Sequence, residues 1–214
     1  HIADNAVTLA KMAGGTDGNI ISFDASGNPV AIATGSDGQI LTSTGAGSPP
    51  AFETAAGGGK VLQVVHTSLT STVTMATGAS WNDIAGLTVT TGSLASTSSR
   101  VYLQAVLSLK NHGDTTWFRL VDSSGGYLTN GVGDAASTRS RVSGQAGYRG
   151  GSALTLVSIV INIMDLPAST SAQTYKIQTF MASGTLYVNR SDTDSTSVNS
   201  PRSFSSITAT EIGA

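Results

Sequence analysis

Apolar and polar residues alternate along most of the chain beyond residue 60. Two runs show the pattern most clearly. Their apolar positions are Val101, Leu103, Ala105, Leu107 and Leu109 in one run and Ile159, Ile161 and Ile163 in the other. Successive side chains of a β-strand point to opposite faces of the sheet, so this period of two predicts half-buried strands.

Ten segments of this kind are separated by turns rich in Gly, Ser and Asp. They are residues 61–67, 71–76, 84–91, 100–110, 116–122, 137–148, 153–164, 174–182, 185–190 and 203–212. No helical period of apolar residues continues beyond residue 60. Regularly spaced short strands with turn signals between them predict an antiparallel β-sandwich, and their number is typical of a jelly roll. Residues 61–214, which we call the head, are therefore predicted to be mainly all-β and jelly-roll-like.

Residues 15–56, which we call the stem, contain a sequence repeat. GTDGNIIS at 15–22 returns as GSDGQILT at 35–42. Later positions with the same offset are also identical or equally apolar: Gly27 and Gly47, Pro29 and Pro49, Ala31 and Ala51, and Ile32 and Phe52. Asp-Gly next to apolar residues predicts a hairpin in each repeat, and repeats of this length indicate an array.

An isolated two-stranded hairpin is only marginally stable in water. We therefore expect other copies of this chain to complete the stem core, giving an intertwined fibrous β stem. The alternative is a flexible Gly/Ser linker, but a linker does not require glycine, proline and apolar positions in register.

Two short segments flank the stem. In residues 1–14, Ala6 and Leu9 share one face behind Asp4, which predicts a short capped helix. Gly57–Gly59 and Lys60 predict a hinge over residues 57–60. The chain begins with His1 rather than Met, so we expect it to be cut from a longer protein.

Composition narrows the range of partners. Only 11% of the residues are charged, against about 25% in ordinary globular domains. The formal net charge of −2 provides no basic field, so we expect no nucleic-acid partner. No cysteine is present to form disulfides or thiolate metal sites. The longest apolar segment, residues 153–164, is interrupted by Ser158 and Asn162, so we expect no membrane insertion.

Motifs for catalysis or metal binding are weak. His112 and Asp114 form one His-x-Asp pair, which is too few ligands for a metal site. Residues 192–195 resemble the start of a calcium loop, but the glycine and the closing glutamate are missing, which favours a polar hairpin. Glycoside hydrolysis needs two carboxylates at a cleft, and Asp165, Asp192 and Asp194 have no recognisable catalytic context. We predict no enzyme activity, no metal and no cofactor.

One further motif, Asn189-Arg190-Ser191, has the form of an N-glycosylation acceptor. It has no meaning if the protein is made in bacteria.

Aromatic and arginine side chains concentrate on Gly/Ser-rich segments in the middle of the head. Such side chains on adaptable loops are typical of recognition surfaces. The predicted receptor-contact residues are Tyr127, Arg139, Arg141, Tyr148 and Arg149. Trp117 is left out because Trp117 and Phe118 are predicted to point to opposite faces of one strand, so its loss would disturb packing. The alternative is that each of these side chains only covers the rim of the core.

The repeated stem, the compact β domain and the terminal SSITATEIGA resemble tail-fibre and head-fibre proteins of tailed bacteriophages, especially marine ones. The resemblance implies a homotrimeric virion appendage whose shaft ends in a jelly-roll-like knob that contacts the host surface. It also implies host polysaccharide as a partner, with attachment to other virion proteins through a missing N-terminal part. The alternatives are a capsid head fibre or decoration protein without specific receptor binding, and a polysaccharide depolymerase.

Overall fold

The computed structural model describes residues 14–55, 60–76, 78–147 and 155–213. It divides into two compact units, His1–Gly57 and Gly58–Ala214. The predicted helix lies outside the described residues except for Gly14, and so do Gly57–Gly59 of the predicted hinge. The described residues form β-strands apart from one 3-10 turn, Thr129–Gly131, and their loops. None of them belongs to a helix long and apolar enough to cross a membrane.

The first unit contains the predicted antiparallel hairpin in each repeat, but Asp-Gly precedes the first strand of each hairpin and does not form the turn between its strands. Their strands are β1 (Ile20–Phe23) and β2 (Pro29–Ile32), then β3 (Gln39–Thr42) and β4 (Ala51–Thr54). Equivalent glycines have matching backbone angles: φ is 78° at Gly18 and 82° at Gly38, and 81° at both Gly27 and Gly47. Only glycine adopts this left-handed region without steric cost, so the sequence repeat is also a backbone repeat.

The two hairpins differ in register by one residue. Ile21 faces Ala31 in the first hairpin, whereas Leu41 faces Phe52 in the second. Pro50 occupies the position that corresponds to Val30, and proline has no N–H group for a strand ladder. Strand β4 therefore begins after this proline.

The second unit has a strand in every predicted head segment. The strands are β5 (Val61–Leu69), β6 (Val73–Ala76), β7 (Asn82–Thr90), β8 (Arg100–His112), β9 (Thr116–Val121), β10 (Gly144–Ala146), β11 (Val157–Asp165), β12 (Thr174–Met181), β13 (Thr185–Val188) and β14 (Ser205–Ile212). The prediction of one long strand over 137–148 was wrong, because only Gly144–Ala146 pairs. The Ser/Arg-rich part carries no alternating apolar residues, and Ser137 bends the chain with a φ of 52°.

These strands form two antiparallel sheets. A four-stranded sheet has the order β10-β9-β12-β7, and a six-stranded sheet has the order β5-β14-β8-β13-β6 with β11 on β8. Arg100–Val106 of β8 pair with β14, while Leu109–His112 pair with β13. Strands β14 and β13 thus follow one another along the same edge of β8. The arrangement is the predicted β-sandwich.

The core lies between the two sheets. The five alternating apolar residues predicted on β8 are fully buried, and Ile161 and Ile163 on β11 are buried as well. The four-stranded sheet contributes Phe118, Leu120, Ile177 and Met181, all with 0% exposure. On β7, Ile84 and Leu87 are both buried although they are three positions apart. A register shift against β12 at this point acts as a β-bulge and explains the broken alternation.

A fully buried asparagine, Asn189, joins the strands where β13 ends and β14 begins. Its Nδ2 group donates to the carbonyl oxygens of Leu69 at 2.7 Å and Ser71 at 2.9 Å. Its Oδ1 atom accepts from the hydroxyl of Ser205 at 2.6 Å, and that hydroxyl accepts from the N–H of Ser108 at 3.0 Å. The side-chain amide is therefore buried and hydrogen-bonded within the fold, which argues against glycosylation of Asn189.

We expect Asn189→Ala to destabilise the head by about 3 kcal/mol, because it leaves one buried carbonyl group, one partly buried carbonyl group and one buried hydroxyl without their partner. Alanine also tolerates the φ of 62° at this position less well than asparagine. The measurement is urea unfolding followed by circular dichroism. Asn199→Ala, at an exposed position, is the matched control and should change stability by less than about 0.5 kcal/mol. Equal stability of the two variants would contradict the role of Asn189.

A second buried polar group, Glu211, continues the inward face of β14 after Ile207 and Ala209. Its carboxylate accepts from Gln63 Nε2 at 2.6 Å and from the N–H of Ala95 at 2.7 Å. Burial raises the pKa of Glu211, but the hydrogen bonds outweigh burial and hold the pKa below its ordinary value. The folded state thus favours the ionised carboxylate.

Because the pKa of Glu211 is lowered on folding, its contribution to stability is full above the ordinary glutamate pKa of 4.5. That contribution is lost as the pH falls through the folded-state pKa. We expect Glu211→Gln to cost about 1–2 kcal/mol at pH 7, and the difference from the wild type to shrink in acid. Urea unfolding of both proteins between neutral and acidic pH measures this difference. A difference that is constant with pH would contradict the coupling.

Candidate functional site

The outer face of the four-stranded sheet carries a group of large side chains. Trp117 and Phe118 point to opposite faces of β9, as predicted, with Phe118 in the core. The large half-buried side chains on the outer face are Trp117 and Arg119 on β9 and Lys176, Gln178 and Phe180 on β12. The alternation that buries one side of each strand thus places these residues together on the other side.

Four aromatic rings on this face form what we call the aromatic platform: Trp81, Trp117, Tyr127 and Phe180. The Trp117 and Phe180 rings stack at a centroid distance of 5.0 Å with an interplanar angle of 9°. Trp81 lies 5.5 Å from Phe180 in a tilted arrangement. The Arg119 guanidinium lies 4.1 Å from the centre of the Trp81 ring and 5.7 Å from that of Tyr127. Cation–π attraction therefore holds Arg119 between two rings.

A row of hydrogen bonds crosses three strands beside the platform. Nε and Nη2 of Arg119 donate to Oε1 of Gln178 at 3.0 and 2.7 Å. Nε2 of Gln178 donates to Asp83 Oδ1 at 2.8 Å, and Lys176 Nζ lies 3.1 Å from Asp83 Oδ2. Arg119, Gln178 and Asp83 are directly opposite one another in the strand register.

These contacts fix the charges of the row. Burial lowers the pKa of Arg119 from its ordinary value, against a raising effect of Tyr127, but a guanidinium remains protonated in proteins. Burial raises the pKa of Asp83, yet hydrogen bonds from Gln178 and Lys176 bring it below its ordinary value. Asp83 is therefore ionised at neutral pH, and Lys176 lies next to it as its partner.

The loop before β10 closes one side of the platform. Arg141 Nε donates to the carbonyl of Gly133 at 2.6 Å, and Nη1 lies 3.4 Å from the Tyr127 hydroxyl. The Arg141 guanidinium is also 5.2 Å from the centre of the Tyr127 ring. The N–H of Ser143 donates to the carbonyl of Phe118 at 2.8 Å, which ties this loop to β9.

Two shallow depressions lie between the loop and the sheet. The first has a volume of about 340 Å³, and the second has a volume of about 330 Å³. The large and charged residues lining the first are Trp81, Arg119, Tyr127, Arg139 and Arg141. The second is lined by Trp117, Arg139, Ser140, Val142 and Gln145. Arg139 borders both, so the two depressions adjoin each other along this exposed side chain.

The structure brings together three of the five predicted contact residues, Tyr127, Arg139 and Arg141. Tyr148 and Arg149 lie outside the described residues. The prediction missed Trp81, Arg119, Gln178 and Phe180. Arg119 and Phe180 occupy the polar-side positions of alternating strands, so the strand pattern contained a signal for them. Trp81 lies just before β7, where no pattern distinguished it.

Other candidate residues have structural contacts. Asp194 accepts a bidentate pair from Arg202, at 3.1 and 3.0 Å, and lies 3.7 Å from Arg190. No group of three or more His, Asp or Glu side chains within the described ranges is placed to hold a metal ion.

No protein-family model matches the chain, and a search of curated proteins finds no match. A solved structure of infectious bursal disease virus, Gx strain, is similar to it with 11% sequence identity and a TM-score of 0.31. The similarity covers 86% of this chain and 46% of the other, so this chain spans less than half the length of that one.

Proposed function

We propose that this chain is a homotrimeric fibre protein of a virus particle whose head binds saccharides on a host surface. The observation that carries the proposal is the aromatic platform on the outer face of a rigid sheet. The resemblance of the stem and head sequences to bacteriophage fibres supports the location on a virion.

The platform has the chemistry that a sugar ring requires. A pyranose presents C–H groups on its faces and hydroxyl groups at its rim. Trp81 and Tyr127 are partly exposed rings that offer apolar faces, and large amphipathic rings are effective anchors in binding sites. The amide of Gln178 and the carboxylate of Asp83, together with the arginines, supply donors and acceptors for hydroxyl groups. Apolar surface with a few fixed polar groups is typical of ligand sites.

We propose binding without cleavage. A glycosidase needs a carboxylic acid whose pKa is raised so that it can protonate the leaving group. The pKa of Asp83, the carboxylate on this face, is lowered by its hydrogen bonds to Gln178 and Lys176 despite the opposing effect of burial. Such a group remains ionised and accepts hydrogen bonds, which suits a binding role.

The exposed apolar surface of the stem is the observation that supports the proposed homotrimer. Its large apolar side chains are mostly exposed: Ile20 38%, Ile21 61%, Phe23 63%, Ile40 49% and Leu41 45%. Ile32 is the one stem residue in the described range that joins the buried apolar set. A groove of about 440 Å³ between the two hairpins is lined by Val30–Gly35, Gln39 and Pro49–Phe52. We propose that sister chains cover these surfaces, since exposed apolar area of this kind drives association.

The proposal predicts that the double variant Trp81→Ala/Tyr127→Ala loses saccharide binding. Loss of one hot-spot residue costs about 2 kcal/mol or more, which is about thirtyfold in affinity. The measurement is adsorption of labelled protein to an array of bacterial surface polysaccharides. Tyr102→Ala, on the six-stranded sheet, is the matched control and should bind like the wild type.

Two outcomes of this experiment would contradict the proposal. A wild type that adsorbs to no polysaccharide would favour the decoration protein. Unchanged adsorption of the double variant would place the contact surface elsewhere, and residues 189–199 would be the next candidate contact surface.

The homotrimer is tested separately. We expect the wild type to be a trimer at micromolar concentration by native mass spectrometry, and Ile21→Asp/Phe23→Asp to dissociate it, because two charges would be buried between chains. Val198→Asp, at a position that is 99% exposed in the head, should leave the trimer intact. A monomeric wild type would overturn the intertwined stem.

A further inference from the structure

The first depression is bordered by three arginines, Arg119, Arg139 and Arg141, and by no acidic residue. None of the three forms an ion pair with a carboxylate anywhere in the described part of the chain. The chain as a whole is slightly acidic, with only 11 Lys and Arg residues among 214. Three positive charges around one depression therefore oppose the overall charge and form a local positive field.

Arg119 and Arg141 are oriented by neutral partners that leave their charge uncompensated. Arg119 is held by the Gln178 amide and by the rings of Trp81 and Tyr127. Arg141 is held by the Gly133 carbonyl and the Tyr127 hydroxyl. These contacts position a guanidinium but do not neutralise it, as a carboxylate would.

Several guanidinium donors remain for a ligand. A guanidinium has five N–H groups. Arg141 uses Nε and Nη1, and Arg119 uses Nε and Nη2, in hydrogen bonds within the described residues. Arg139 is exposed and borders the same depression. Arginine forks match planar or tetrahedral oxyanions with two parallel hydrogen bonds.

We propose that this depression, which we call the arginine pocket (Arg119, Arg139 and Arg141 with Trp81 and Tyr127), binds the anionic group of an acidic saccharide. The anionic group is a uronate carboxylate or a sulfate ester, and the neighbouring sugar ring lies on Trp81 or Tyr127. The inference rests on the proposed saccharide binding and names its substrate class. The Asp83 carboxylate, held by Gln178 and Lys176, lies outside the lining of the pocket.

The test is calorimetric titration of the intact protein with three probes of matched length: oligosaccharides of alginate, of dextran sulfate and of neutral dextran. We expect at least one acidic probe to bind about tenfold or more tightly than neutral dextran, with affinity that falls as salt rises. Binding of alginate alone assigns a carboxylate, and binding of dextran sulfate alone assigns a sulfate ester.

Variants of two exposed or half-exposed arginines locate the effect. Arg139→Gln and Arg141→Gln should each weaken binding of the acidic probe about tenfold more than binding of neutral dextran, because each removes a charge-assisted hydrogen bond to the anionic group. Arg139→Lys/Arg141→Lys keeps the charge without the fork, so it should lie between the wild type and the glutamine variants. Arg100→Gln removes one charge from the six-stranded sheet and should have no effect.

Failure of this inference is distinguishable from failure of the proposed function. In one outcome, neutral and acidic probes bind with equal affinity, the glutamine variants do not change it, and Trp81→Ala/Tyr127→Ala abolishes it. That outcome would overturn the arginine pocket but not saccharide binding. No binding of any probe or surface polysaccharide would overturn both. Thermal unfolding of each variant confirms that the head is folded. If a glutamine variant does not fold, the lysine variant still tests the arginine pocket.

Discussion

The register between β9, β12 and β7 is the constraint on which the outer face of the head depends. Gln178 lies opposite both Arg119 and Asp83, and Phe180 lies opposite Trp117. Directly opposed residues on one face of an antiparallel pair are close enough to interact. Displacing one strand by a single residue would move its outer residues into the core. Burial of the inward residues therefore maintains the aromatic platform.

The same register also positions the Arg119 guanidinium on the outer face of the four-stranded sheet. Two buried polar side chains of the sandwich, Asn189 and Glu211, have neutral hydrogen-bond partners. Arg119 is held by rings and an amide rather than by a carboxylate. Positioning by neutral partners costs less desolvation than a buried ion pair and keeps the positive charge available.

The sequence pattern predicted the sandwich because alternation records burial directly, as the five apolar residues of β8 illustrate. It did not predict the bulge that buries both Ile84 and Leu87 on β7. It also extended a strand through Arg139 and Arg141, where the loop is held instead by contacts to Gly133 and Tyr127. The site was predicted only in part, because Trp81 and Phe180 meet through tertiary pairing that local composition does not encode.

The proposed stem and head make complementary demands on the chain. Depressions of about 340 and 330 Å³ are at the small end of ligand sites, so a single head would bind a saccharide weakly. Several linked copies on a repetitive polysaccharide gain affinity through effective concentration without any new contact. The stem in turn exposes Ile21, Phe23 and Leu41, which the proposed sister chains would bury. In the proposed homotrimer, one assembly would both bury the exposed apolar side chains of the stem and link the heads.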